Sequence, residues 1–409
     1  MKLLIISHTA HYLCGGRLVG WGPTVKEVNW LARAFDQVTH LACLHPGPAP
    51  ASALPYATDK LDFVSVSPAG GLTLRKKLRV ISSAFPYLVT ISKCLPEADV
   101  VQVRCPAGIA LYAIIALRWV KHKPRWVKYA GNWVQTEDVP PSFVFQRWWL
   151  RKGFSGGPVT VNGRWERQPP YIFPFDNPSM TLQEVQAARE LGAAKSLGRP
   201  PRLIFVGRTE TAKGLHTTLQ ILKELRSEFR DVRLDILGDG PERGLFEQMS
   251  ERLGVADNVH FLGWVPHNQV LEFLLQADFI VLPSLTEGWP KVLSEAMSYG
   301  VVPIASNVSA IPQILEETRC GAAFPPDNVS GFVEAILDIV QTPGKWKGMS
   351  QEGMRSASRF TYERYLVALD DMFMSFYGAS PMKQDVIRGI RAQLDQFTSA
   401  DRTVQPGDR

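Results

Sequence analysis

The sequence predicts an α/β protein with two doubly wound, parallel-sheet domains, and three observations carry that reading. The 409 residues are 45% apolar and 21% charged, which excludes a disordered chain or a fibrous repeat and leaves enough length for two cores. From residue 202 onward, β-branched and aromatic runs alternate with helical runs of about ten residues, the pattern of a parallel sheet covered on both faces. The 32 glycines and 30 prolines supply the many loops such an alternation needs. Ligands in these sheets gather at the carboxyl ends of the strands, so the loops after each strand are where chemistry is expected.

Taken in order, residues 3–7 read as a first buried strand. The opening apolar run is too short for a signal peptide. A loop with Cys14-Gly15-Gly16 follows, then an amphipathic helix with Val25, Val28, Leu31, Ala32 and Phe35 at helical spacing. Further strands are expected at 39–44, 63–66, 100–103 and 126–129, with a helix at 109–117 and a loop at Gly131-Asn132-Trp133. The apolar stretch 107–117 falls short of the roughly 17–25 residues of a membrane span. Residues 176–200 read as the connection between domains, opening with Asp176-Asn177-Pro178-Ser179 and closing in a Gly/Pro-rich run. Beyond it, strands are expected at 202–206, 232–237, 259–262, 279–282 and 302–305. Helices are expected at 215–229, 243–253, 269–277 and 291–299.

Charge divides the chain. Residues 1–175 hold 21 Lys/Arg against 9 Asp/Glu, and residues 176–409 hold 24 against 30, so a net +6 hides a basic first half and an acidic second. The basic residues cluster at Arg75-Lys76-Lys77-Leu78-Arg79, at Lys121-His122-Lys123-Pro124-Arg125, and at Arg147 with Arg151-Lys152. Trp119, Trp126, Trp148 and Trp149 stand beside two of these clusters. Cations with interfacial aromatics suit an anionic membrane surface. A phosphorylated partner, or solvated faces over core tryptophans, are the other readings; nucleic acid is not the expected partner. Five scattered cysteines without a CxxC pair fit a reducing cytosol and give no disulfide or zinc framework.

Three strand-end loops carry the chemistry. The first, GRTETAKG over residues 207–214, sets Arg208 and Lys213 on one turn ahead of a helix N-terminus, where a phosphate or diphosphate is the natural occupant. The second, GDGPE over 238–242, holds half of a dinucleotide fingerprint but no third glycine, which argues against an NAD site. The third, PSLTEGWPKVLSEAM over 283–297, places Glu287 ahead of a helix that Pro290 starts, and Glu295 about two turns along it. Two carboxylates so spaced meet opposite ends of a hydroxyl-rich ligand, and free amides at Gly288, Trp289 and Lys291 point at the same place.

Together, GRxxxxKG, GDGPE and the run FLGWVPHNQVLEFLLQADFIVLPSLTEGWPKVLSEAMSYGVVPIAS resemble the retaining GT-B glycosyltransferases of family 4. The resemblance is strong over about residues 201–340 and weaker over 1–175, where the Gly15-Gly16 loop is the main match. It implies two Rossmann-like domains across a cleft, 1–175 for the acceptor and 201–356 for the sugar nucleotide. A helix at 357–378 would return to the first domain, and the tail 379–409 would be helical near 385–397 and disordered after 398. It further implies that Glu287, Arg208 and Lys213 are catalytic: the cations hold the diphosphate, and Glu287 bonds the transferred sugar. Glu295 would bond the ribose. Amides near Gly288, Trp289, Lys291 and Val292 would steady sugar and phosphate, Val265 would lie near the base, and Gly15 and Gly16 would let a loop close over the diphosphate. No metal or other cofactor is implied. Many members place a histidine against the donor sugar from the first domain; here Asn132 stands in that neighbourhood, and His8 and His11 are the alternatives.

The implied function is transfer of a hexose-type sugar, with retention, from a UDP- or GDP-sugar to a glycan or lipid-linked acceptor in surface polysaccharide or glycolipid synthesis. The expected place is the cytoplasm, peripheral to the inner face of the membrane. A sugar-nucleotide epimerase of the same fold and a non-catalytic sugar-nucleotide-binding subunit are the alternatives.

Overall fold

A computed structural model describes residues 1–69, 82–120, 122–135, 137 and 139–403, with side chains as far as 399. The cluster at 75–79, Lys121 and the last six residues lie outside the described residues. The first domain is built from β1 (Lys2–Cys14), β2 (Arg17–Trp21), β3 (Gln37–Leu44), β4 (Ala53–Pro55), β5 (Leu61–Val66), β6 (Val100–Cys105), β7 (Arg125–Tyr129), β8 (Val159–Asn162) and β9 (Ile172–Phe175). The parallel part runs β5-β3-β1-β6-β7-β8-β9, while β2 and β4 extend β1 in antiparallel fashion. Leu3, Leu4, Ile5 and Ile6 are buried on both faces, as a central parallel strand requires.

Helices Ala84–Cys94, Gly108–Ala116 and Pro141–Arg151 cover one face of this sheet through Tyr87, Ile91, Ile109, Ala110 and Leu150. Helix Gly22–Ala34 covers the other through Val28 and Leu31, joined there by Tyr362–Tyr377 and Gln384–Thr403 from the far end of the chain. The returning helix is anchored by Phe373 against Trp126 and by Tyr377, whose hydroxyl bonds the Arg125 backbone at 3.0–3.1 Å. Trp126 is therefore a core residue, not an interfacial one.

The second domain holds β10 (Arg202–Val206), β11 (Arg233–Leu237), β12 (Val259–Gly263), β13 (Phe279–Leu282), β14 (Val302–Ser306) and β15 (Ala322–Phe324), all parallel in the order β12-β11-β10-β13-β14-β15. The order reverses between β10 and β13, so the loops after these two strands, far apart in sequence, emerge side by side.

Three elements differ from the sequence reading. β1 does not end at residue 7: it runs on to Cys14 and turns at Gly15-Gly16 (φ 56° and 78°), a two-residue hairpin that needs left-handed backbone at both positions. The connection 176–200 is not a plain linker. Thr181 and Glu184 form a capping box, and helix Leu182–Ala193 packs Val185 and Ala188 into the second core. The final helix continues to Thr403, past the point where disorder is expected, held to the first domain by Ile387, Ile390 and Leu394.

Candidate active site

The loops after β10 and β13 are stitched together by backbone. Gly214 (φ 75°) lies so close to the next loop that a Cβ would sit 1.9 Å from the Pro283 carbonyl oxygen, and the Leu285 amide donates to Ala212 O at 2.9 Å. This juxtaposition delivers Lys213 Nζ to Glu287 Oε1 at 2.5 Å. The GDGPE segment braces the same turn: a Glu242 carboxylate oxygen accepts from the Thr211 amide and hydroxyl, each at 2.6 Å. Arg208 is more than half exposed and pairs with Glu210 at 2.6 Å rather than with the Lys213–Glu287 pair.

Pro290 caps helix Lys291–Ser298 rather than occupying its first position. The helix carries Glu295 inward, where Oε1 meets His267 Nε2 at 3.1 Å. Lys26 of the first domain reaches His267 Nδ1 at 3.4 Å. An ammonium can only donate, so Nδ1 accepts and Nε2 carries the proton given to Glu295. Trp289 turns its ring into the core, stacked on Phe360 with Nε1 donating to Ser294 Oγ at 2.7 Å. Val265 and Val292 also pack against that core. Whatever Trp289 offers a ligand comes from its backbone.

The first domain meets these loops at places the motifs did not mark. A Cβ on Gly288 would lie 2.0 Å from Ala130 O and 2.6 Å from Asn162 Nδ2, so only glycine permits this approach. Thr286 Oγ1 donates to Gln135 Oε1 at 2.6 Å, and Lys291 Nζ donates to Pro23 O at 3.3 Å. The first-domain segments at these loops are thus the start of helix Gly22–Ala34, the turn 130–135 and Asn162 at the end of β8, while Gly15 and Gly16 are exposed at the hairpin tip.

Behind this contact lies a buried charge cluster. Glu27, fully buried, accepts from Arg104 through both oxygens (2.8 and 3.2 Å), from Lys128 (2.8 Å) and from the Tyr365 hydroxyl (2.9 Å), with Lys291 Nζ 3.8 Å away. Lys128 also donates to Asn177 Oδ1 at 3.0 Å. Burial alone would raise the Glu27 pKa; the charges of Arg104, Lys128 and Lys291 outweigh it and hold the carboxyl well below its ordinary value. One carboxylate cannot satisfy three cations. Burial, with repulsion from Arg104 and Lys291, brings Lys128 down to about 7, and burial with repulsion from Arg104 and Lys26 brings Lys291 to about 8.

The acceptor-side candidates take other places. Asn132 spends its side-chain oxygen on the Val134 and Gln135 amides of its own turn, both at 3.1 Å. His11 is fully buried, bonded to Thr9 O (3.0 Å) and to the Tyr56 hydroxyl (2.7 Å), which in turn meets His40 at 2.7 Å. Burial brings its pKa down to about 4. Both ring nitrogens are engaged, so His11 is a core histidine. His8 lies within β1 and not at its end; it is exposed to solvent, and desolvation followed by the Arg104 charge holds its imidazole below the ordinary value. Among the described residues, no group of three or more His, Cys, Asp or Glu is placed to hold a metal.

Two switch-point loops joined by a cation–carboxylate pair, facing a second Rossmann-like domain, define a GT-B fold. Residues 190–356 match the family model described as glycosyl transferases group 1. The glycogen synthase of Mycobacterium tuberculosis is 25% identical over 193 residues, 47% of each chain, so the match spans about half the length of that relative. Among solved structures, the sucrose-phosphate synthase of Thermosynechococcus elongatus superposes with a TM-score of 0.67 at 16% identity, over 92% of this chain and 98% of that one. Anabaena Alr3699/HepE in complex with UDP gives 0.60 at 16% identity, over 92% and 100%. At such identities the two structures establish the fold.

Proposed function

We propose that the chain is a retaining glycosyltransferase of family 4 type that moves a hexose-type sugar from a UDP- or GDP-sugar to a glycan or lipid-linked acceptor. The observation that carries the reading is the 2.5 Å Lys213–Glu287 contact at the switch point of the second sheet, opposite the first domain. Such a pair offers an ammonium to the departing diphosphate and a carboxylate to sugar hydroxyls in one place. Arg208, on the same turn, exchanges Glu210 for phosphate and adds a second positive charge. Protein cations thus neutralise the leaving group, and the reading assigns no metal. Glu295, oriented by His267, accepts from the ribose hydroxyls, and the Lys291 and Val292 amides serve the phosphate end. The match of residues 190–356 to glycosyl transferases group 1 and the UDP-bound neighbour support the donor class. The reading places the enzyme in the cytoplasm, where its five unpaired cysteines would remain reduced.

The test is to incubate the purified chain with a panel of sugar nucleotides and measure nucleoside-diphosphate release, with and without glycan acceptors. Release that falls by orders of magnitude in both Lys213→Ala and Glu287→Ala is the expected result. Near-wild-type rates in both variants, or epimerised sugar as the product, would overturn the reading.

A further inference from the structure

We propose that the outer face of the three helices Ala84–Cys94, Gly108–Ala116 and Pro141–Arg151 is a docking surface for an anionic lipid bilayer. These helices lie together on one face of the first sheet, burying their inner sides in a single core. Their outer sides should be polar, yet Phe85 (77% exposed), Trp119 (73%), Trp148 (47%), Val144 (45%) and Leu88 (39%) project from them. The placement follows helical spacing. Phe85 and Leu88 are three apart, with Phe85 across the helix from buried Tyr87 and Ile91. Val144 and Trp148 are four apart, across the helix from buried Gln146 and Leu150. Trp119 ends the turn that follows the middle helix. Scattered exposed apolar residues are ordinary; several large ones on adjoining helices of one face mark an interaction surface.

Charge chooses the partner. The three helices contain no Asp or Glu, and from residue 63 to 165 the sequence holds 15 Lys/Arg against 4 Asp/Glu. Lys93, Arg118, Arg151 and Lys152 are exposed at or near the helix C-termini, beside the aromatic residues. A face with large exposed apolar side chains, whose three helices carry only positive charge, complements acyl chains below anionic headgroups, with tryptophan at the boundary. A protein partner would meet helices that offer it cations and no acid. Among the described residues no helix is long and apolar enough to cross a membrane, so the contact is with the surface. The surface lies outside the donor loops, and the inference stands or falls separately from the proposed activity.

The experiment is co-sedimentation of the full chain with phosphatidylcholine vesicles, with and without phosphatidylglycerol. Binding is expected only when phosphatidylglycerol is present, and is expected to weaken as salt is added. Phe85→Ser combined with Trp148→Ser should weaken it roughly tenfold or more, while thermal-shift responses to UDP- and GDP-sugars stay as in the wild type. Should the double variant fold poorly, quenching of the intact protein's tryptophan fluorescence by brominated phosphatidylglycerol gives the same answer. No binding to anionic vesicles, equal binding to neutral ones, or no quenching would overturn the proposal. So would self-association or RNA binding that disappears in the same variants while vesicle binding persists.

Discussion

Replacing Glu27 by alanine tests the charge cluster on which both domains converge. The wild-type carboxylate faces cations at 2.8, 2.8 and 3.8 Å, each attraction worth ~4–6 kcal/mol gross at an effective dielectric of ~20. Burying the ions costs several kcal/mol apiece, so the intact cluster contributes little net stability. The alanine variant keeps the burial cost of Arg104, Lys128 and Lys291 and loses the compensation. Breaking a buried pair in this way typically costs ~3–5 kcal/mol, which is a Tm drop of roughly 6–20 °C for a domain of this size. The deficit should also depend on pH. Both lysines titrate in the folded state below their unfolded value, and losing Glu27 lowers them further. The folded form therefore binds fewer protons than the unfolded form, and stability rises with pH up to the unfolded lysine value. Calorimetry at about pH 6 and about pH 9 should then show the gap between wild type and variant narrowing at the higher pH. Glu27→Gln, which retains a hydrogen-bond acceptor, should fall between the two. A Tm shift of only a degree or so, or a gap independent of pH, would refute the reasoning.

Three further outcomes are expected. Gly288→Ala drives a methyl into the Ala130 carbonyl across the domain contact, an overpacking of ~1–3 kcal/mol that should lower turnover about 5- to 150-fold. Because the clash lies between domains, calorimetric transitions should move little; normal turnover would show that the two loops never need to meet. His11, neutral and buried with a pKa of about 4 against 6.5 when unfolded, should cost about 3 kcal/mol of stability as pH falls from roughly 6.5 to 4. The loss is absent above the unfolded value and complete below the folded one. Denaturant midpoints across that range should show a shallower slope in His11→Gln. At the donor loops, Lys213→Met should lose turnover while His267→Ala mainly weakens nucleotide binding, which separate kcat and KM measurements distinguish.

Much of the site was legible in the residues because loop chemistry is local. The turn 207–214 and the run 283–297 each announce a strand end, a helix start and a charged side chain between them. The order of strands then had to bring the two together. The second domain's strands also follow from periodicity, and the return of the last helix to the first domain follows from the family resemblance. What local pattern could not show is anything whose partner comes from the other domain. Glu27 sits on the buried stripe of helix Gly22–Ala34, and Lys128 inside the fully buried strand β7. Both are charges where an apolar residue belongs, a signal present in the sequence but without a stated partner. The Gly15-Gly16 pair shows a different limit: the glycines mark a turn in the sequence, but that the turn is a hairpin ending a long β1 depends on strand pairing with β2.

The sequence alone determined that the chain builds two parallel sheets, and that Lys213 and Glu287 stand on two of the strand-end loops of the second. Periodicity and turn preference act over a few residues, and a single chain displays them in full. The tertiary structure alone decided that Gly288 closes against Ala130, that Lys291 and Lys26 bridge the domains, and that His11 and Asn132 are spent on internal bonds. Burial and electrostatic pairing depend on which distant segments meet, and that is a property of the packed whole.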